Sequence, residues 1–128
     1  MKKIAILIFI TGFIFFSIDC KDKLPPELEI PAEEVSYTKH IQPVFELKCN
    51  NSGCHNDEDR AGSISLTSYQ NTTADLSVVF PGQPQNSRLA TAIQPSTSVP
   101  MPPMAYPPLT ENQVKGIITW IKEGAKNN

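Results

Sequence analysis

The sequence predicts an all-α fold, a small domain of short helices joined by long loops. Two apolar stripes of helical spacing predict it, one at Ile41, Val44 and Phe45 and one at Val114, Ile117, Ile118 and Ile121. Between them lies a stretch rich in Gly, Ser, Thr, Asn and Pro with only short apolar pieces, and no internal repeat is visible.

The chain opens with Lys2 and Lys3 ahead of an apolar run, residues 4–16, of signal-peptide length and short for a membrane span. The run leads into Ser17-Ile18-Asp19-Cys20, which resembles a bacterial lipoprotein cleavage box, with Asp19 where a small residue is usual. Residues 1–20 are therefore expected to be a lipoprotein signal peptide, with Cys20 as the lipidated first residue of the mature chain. An uncleaved N-terminal anchor is the alternative. Either way the protein is expected to be exported and membrane-anchored, facing the periplasm or cell surface. Lys21, in place of Asp, disfavours inner-membrane retention where that sorting rule applies.

Residues 21–34 are charged and proline-bearing without periodicity, and read as a tether with a reach of about 40 Å. The folded domain is expected over 35–126. Its first helix starts near His40, because Pro43 is tolerated only in a first turn, and it delivers Cys49 at its end. One helical turn is expected from Ser68 to Thr73. Ser87 is placed to cap a short helix from Arg88 to Ile93 that Pro95 ends. Pro95, Pro100, Pro102, Pro103, Pro107 and Pro108 then make a stiff, non-helical loop over 95–108. The last helix has the clearest local signals: Thr110 and Gln113 as a capping box, Leu109 and Val114 as a hydrophobic staple, and Gly124 as the stop.

Three short helices bury a modest core, and a domain so small usually needs a disulfide, a metal or a cofactor. Charge excludes one class of partner. With Lys2, Lys3 and Asp19 removed from totals of 11 basic and 13 acidic residues, the mature chain carries −3, and no basic stripe offers a nucleic-acid surface. An acidic surface suits a basic docking partner instead.

The chemistry concentrates in Cys49-Asn50-Asn51-Ser52-Gly53-Cys54-His55. Two cysteines followed directly by histidine are what covalent haem attachment uses: each thiol adds to a vinyl group and the imidazole sits under the iron. Four residues separate the cysteines where two are usual, and Asn50, Asn51 and Gly53 are residues that tolerate the left-handed backbone a looped-out insert needs. A Cys49–Cys54 disulfide in an oxidising compartment is the structural alternative, and a zinc site recruiting His40 is another. Met101 and Met104, on the stiff loop, offer thioethers for a sixth iron position.

Five segments in order carry a resemblance: Ile41-Gln42-Pro43-Val44-Phe45, Gly62-Ser63-Ile64-Ser65-Leu66-Thr67-Ser68-Tyr69, Pro81-Gly82-Gln83-Pro84-Gln85-Asn86-Ser87, Met101-Pro102-Pro103 and Trp120-Ile121-Lys122-Glu123-Gly124-Ala125. Over Tyr37 to Ala125 the chain resembles the small c-type cytochrome domains of bacterial secreted and planctomycete-type cytochromes. The resemblance implies a cytochrome c-like fold around one covalent haem c. It makes Cys49 and Cys54 the thioether attachment points, His55 the proximal ligand and Met101 the distal ligand, with Met104 as second choice and His40 a minor alternative. Arg88 is a candidate for a haem propionate, and Trp120 is expected to pack the last helix against the first and the haem edge. Tyr69 and Tyr106 have no role from the sequence.

The function implied is electron transfer between redox protein partners, without enzymatic turnover. The alternatives are a haem protein with an open sixth position, acting as a sensor or peroxidase-like protein, and a disulfide-held binding module without haem.

Overall fold

The computed structural model describes residues 29–128; the expected signal peptide, Cys20 and tether residues 21–28 lie outside the described residues. Every regular element among the described residues is helical. The four α-helices are α1 (Gln42–Lys48), α2 (Tyr69–Thr72), α3 (Arg88–Ala92) and α4 (Glu111–Lys122), with single 3-10 turns at Ala61–Ser63 and Pro84–Asn86.

The first helical segment begins earlier than Pro43 suggests. A π-helical turn over Tyr37–Ile41 runs directly into α1, opened by Ser36, whose Oγ accepts the Lys39 N–H. Proline has no N–H and its ring crowds the carbonyl four residues back. The wider turn shifts the pairing by one residue, so that Gln42 donates to the Tyr37 carbonyl and the chain passes through Pro43 without a break. Ile41, Val44 and Phe45 face inward as the stripe predicts.

Helix α4 carries both halves of the capping box: Gln113 N–H donates to Thr110 Oγ1 at 3.2 Å and Thr110 N–H to Gln113 Oε1 at 3.0 Å. Its buried face is Gln113, Gly116, Ile117, Trp120 and Ile121, with Val114 and Ile118 at the margin. The expected stripe is thus rotated by about one residue, because Trp120, the largest side chain, takes the centre. Its ring lies 5.3 Å from that of Tyr37, and Tyr37 in turn meets Tyr69 edge-on at 5.3 Å and Phe45 at 6.4 Å. Tyr69 closes this cluster by donating its hydroxyl to the Ala125 carbonyl at 2.9 Å. Trp120 Nε1 donates to the Lys126 carbonyl at 2.9 Å, across the reversal that Gly124 makes at φ +100°.

Ser87 stands at the N-cap of α3 but makes no side-chain cap bond. Its Oγ donates to the Gln83 carbonyl and accepts the Phe80 N–H, which folds the 80–87 loop back on itself.

Residues 29–34, read as the end of the tether, are docked on α4. Ile30 exchanges two hydrogen bonds of 2.9 Å with the Asn112 side chain, and the Glu123 carboxylate accepts the Glu34 and Val35 N–H groups. Composition marks this segment as polar and conceals that its one buried apolar residue, Ile30, has a partner in Gly116. A Cβ at Gly116 would stand 2.7 Å from Ile30 Cβ and Cδ1. Overpacking of this kind costs about 1–3 kcal/mol, against about 1 kcal/mol gained when a mid-helix glycine becomes alanine. Gly116→Ala is accordingly expected to lower stability by up to about 2 kcal/mol in the native chain and to raise it by about 1 kcal/mol in an Ile30→Ala background. Denaturant unfolding of the four chains tests this, and equal effects in both backgrounds would refute the docking.

Candidate functional site

Helix α1 ends at Lys48, and Cys49 is its C-cap, with Cys49 and Asn50 both donating to the Phe45 carbonyl at 2.8 and 2.9 Å. The four-residue insert closes as a compact turn: Cys54 N–H donates to Asn51 O at 2.9 Å and His55 N–H to Cys49 O at 3.0 Å. Gly53, at φ +78°, supplies the left-handed position. Asn50 and Asn51 do not use that freedom, so one glycine is enough to loop the insert out.

Two carboxylates hold the loop from outside. Asp59 accepts the Gly53 N–H and an Asn56 Nδ2–H, both at 2.7 Å, and these bonds keep its carboxyl below the usual range. Asp57 accepts from the hydroxyls of Ser65 and Thr67 and from Asn71 Nδ2, and the Ser65 and Thr67 bonds depress it likewise. Asp57 thereby ties the segment after His55 to α2. The backbone of His55 is fixed from the other side, where Leu66 N–H donates to its carbonyl at 2.9 Å.

These elements enclose one side of a cavity of about 670 Å³ with mostly apolar walls, inside the range of about 300–1,000 Å³ usual for small-molecule and cofactor sites. Cys49, Cys54, His55, Met101 and Arg88 all line it. Ile64, Leu66, Val78, Leu89 and Ile93 supply much of the wall. Met101 is anchored by its N–H to the Ala92 carbonyl at 2.8 Å, so the end of α3 holds the methionine loop over the cavity. Arg88, exposed at the start of α3, and Lys48 add positive charge to a lining that holds no carboxylate.

Cys49 and Cys54 are free thiols, not a disulfide. Burial, reinforced by the neighbouring Cys54, pushes the Cys49 thiol up to about 12, so it is neutral at physiological pH. His55 Nδ1 is buried with no hydrogen-bond partner. Two thiols, an imidazole and a thioether on one apolar cavity are the donor set that a covalently held haem requires, and the residues present fit that group.

Two candidates lie elsewhere. Met104, the second choice for a distal ligand, is 95% exposed and outside the cavity lining, since the loop turns outward after Met101. His40 sits in the π-helical turn, away from the lining, with Nδ1 accepting the Ser36 N–H at 3.0 Å, and among the described residues no group of three metal-ligating side chains forms around it. Trp120 packs the last helix against the first as expected but does not reach the cavity. Tyr106, without a role from the sequence, lies on the cavity rim, and so does Thr97. No spacing or motif marks either one.

Residues 52–104 match the family described as Planctomycete cytochrome C. The matched stretch contains Cys54, His55, Arg88 and both methionines, and it begins three residues after Cys49. Comparisons with curated proteins and with solved structures find no match.

Desolvation, with Lys39 adding to it, lowers the pKa of His40, so the imidazole is expected to titrate with a midpoint below the ordinary value of about 6.5. The unfolded chain then binds the proton more readily. Stability from this group is full above that ordinary value and declines as pH falls toward the folded midpoint. An NMR titration checks both points, and a His40 ring that fails to titrate would indicate an iron ligand after all.

Proposed function

We propose that this chain, whose residues 52–104 match the planctomycete cytochrome C family, is a mono-haem c-type electron carrier. The supporting observation is the convergence of Cys49, Cys54, His55 and Met101 on a single apolar cavity. A haem bound there supplies one-electron cycling between ferrous and ferric iron.

The chain's own residues have separable tasks. Cys49 and Cys54, which both line the cavity, would anchor one edge of the group through thioethers, and the His55 N–H bond to the Cys49 carbonyl closes the turn between them. His55 serves as proximal ligand. Met101, steadied by Ala92, serves as distal ligand, and a thioether there favours the ferrous state and raises the potential. Ile64, Leu66, Val78, Leu89 and Ile93 exclude water, which disfavours the extra charge of the ferric centre. Arg88 is placed to pair with a propionate.

Were His55 and Met101 both to hold the iron, no position would be left for a substrate, which is the property of a carrier. Export and lipid anchoring through Cys20, and docking to redox protein partners, complete the proposal; they rest on the N-terminal sequence and the net acidity of the chain.

The purified chain, matured with a haem-attachment system, is expected to give c-type bands when reduced and a positive pyridine haemochrome test. A colourless polypeptide would overturn the proposal. Oxidised protein is expected to show the weak red-edge band of methionine-bound iron. Met101→Ala removes that band, lowers the potential and admits carbon monoxide or cyanide rapidly, while Met104→Ala leaves all three unchanged. Loss of the band in Met104→Ala alone would reverse the assignment.

A further inference from the structure

Among the described residues, three buried side-chain polar atoms have no hydrogen-bond partner: Asn50 Oδ1, His55 Nδ1 and Thr97 Oγ1. A buried polar group left unpaired costs about 1–3 kcal/mol, so two such atoms of opposite character in one short loop call for an explanation. Asn50 Oδ1 is an acceptor. His55 Nδ1 is a donor in the tautomer that leaves Nε2 free to coordinate a metal.

The backbone brings the two residues together. His55 N–H donates to the carbonyl of Cys49, the residue before Asn50. Leu66 is shared: its N–H donates to the His55 carbonyl at 2.9 Å, and its carbonyl accepts Asn50 Nδ2–H at 3.1 Å. The Leu66 bond also fixes which way the amide faces, because a carbonyl needs the NH2 end and so turns Oδ1 away from Leu66. Thr97 belongs to the methionine loop, a separate segment of the cavity lining.

From this arrangement we infer that Asn50, inside the insert that separates the two cysteines, is the positioning residue for His55, its Oδ1 accepting the Nδ1–H once Nε2 is bound to iron. The inference rests on the haem reading above. The backbone of both residues is pinned by these bonds, and the pairing is left to their side chains. A histidine bound to a metal through one nitrogen almost always donates from the other, and that bond sets ring orientation and ligand basicity. The insert therefore contributes an acceptor as well as length.

The test uses the haem-loaded full chain. Asn50→Asp keeps the shape and puts an anionic acceptor on Nδ1–H, which makes the imidazole more basic and is expected to lower the reduction potential. Asn50→Leu removes the acceptor and is expected to raise the potential and to speed solvent exchange of the Nδ1 proton, followed by NMR in the reduced, diamagnetic protein. The red-edge methionine band stays in both variants. Opposite potential shifts together with faster exchange of the Nδ1 proton in Asn50→Leu support the inference; the exchange is the deciding readout, because an anion near the iron lowers the potential through space whatever it bonds to. Shifts of the same sign, or an Nδ1 proton that remains protected in Asn50→Leu, would overturn it while the haem reading stands. Should Asn50→Leu fail to fold, Asn50→Ala takes its place, and an Nδ1 proton that remains protected there would overturn the inference. A wild-type chain without haem removes both readings together.

Discussion

The contact between Tyr37 and Trp120 is the constraint on which the rest of this domain depends. It joins the π-helical turn ahead of α1 to the middle of α4, and Tyr69 and Phe45 complete a dry aromatic cluster around it. With that side of the molecule closed, the direction of α1 is set, and with it the place where Cys49 leaves the helix. Everything in the cavity is referred to that point. The cysteine turn, the Leu66 bond to His55 and the Asp57 cluster each add one further connection outward from a helix end that cannot move.

The opposite side of the domain is organised differently. There Leu66, Val78, Leu89 and Ile93 belong to the buried core and, with Ile64 packed against it, also line about 670 Å³ of space. A domain of this size has little core in reserve. On the proposed reading, a flat apolar cofactor would extend that core into the cavity, so the haem would be structural as well as chemical.

Legibility in the sequence followed the range of the interactions. The capping box of α4, the stripe of α1, the single turn at α2 and the stop at Gly124 were readable because each is written within a few residues of itself. Cys54, His55 and Met101 could be grouped from the sequence because their residue types and order suit one chemistry, and all three line one cavity. What escaped depended on distant partners. The docking of Ile30 required Gly116 and Asn112, far along the chain, and nothing near Ile30 announced them. Ser87 looked like a cap from its neighbours, but the 80–87 loop had a stronger use for its hydroxyl. The stripe of α4 was misread by about one residue because spacing counts apolar positions equally, whereas packing weights them by volume and put Trp120 at the centre. Met101 and Met104 were nearly equivalent in the sequence, and the Ala92 carbonyl separates them.

Cys49 stands where two parts of the molecule meet. It caps α1 and, half-buried, also lines the cavity, with its thiol kept protonated by the apolar wall around it. On the proposed reading, a group tied to this sulfur would share its anchor with the end of a helix, so that whatever loosens α1 would also loosen the group it holds.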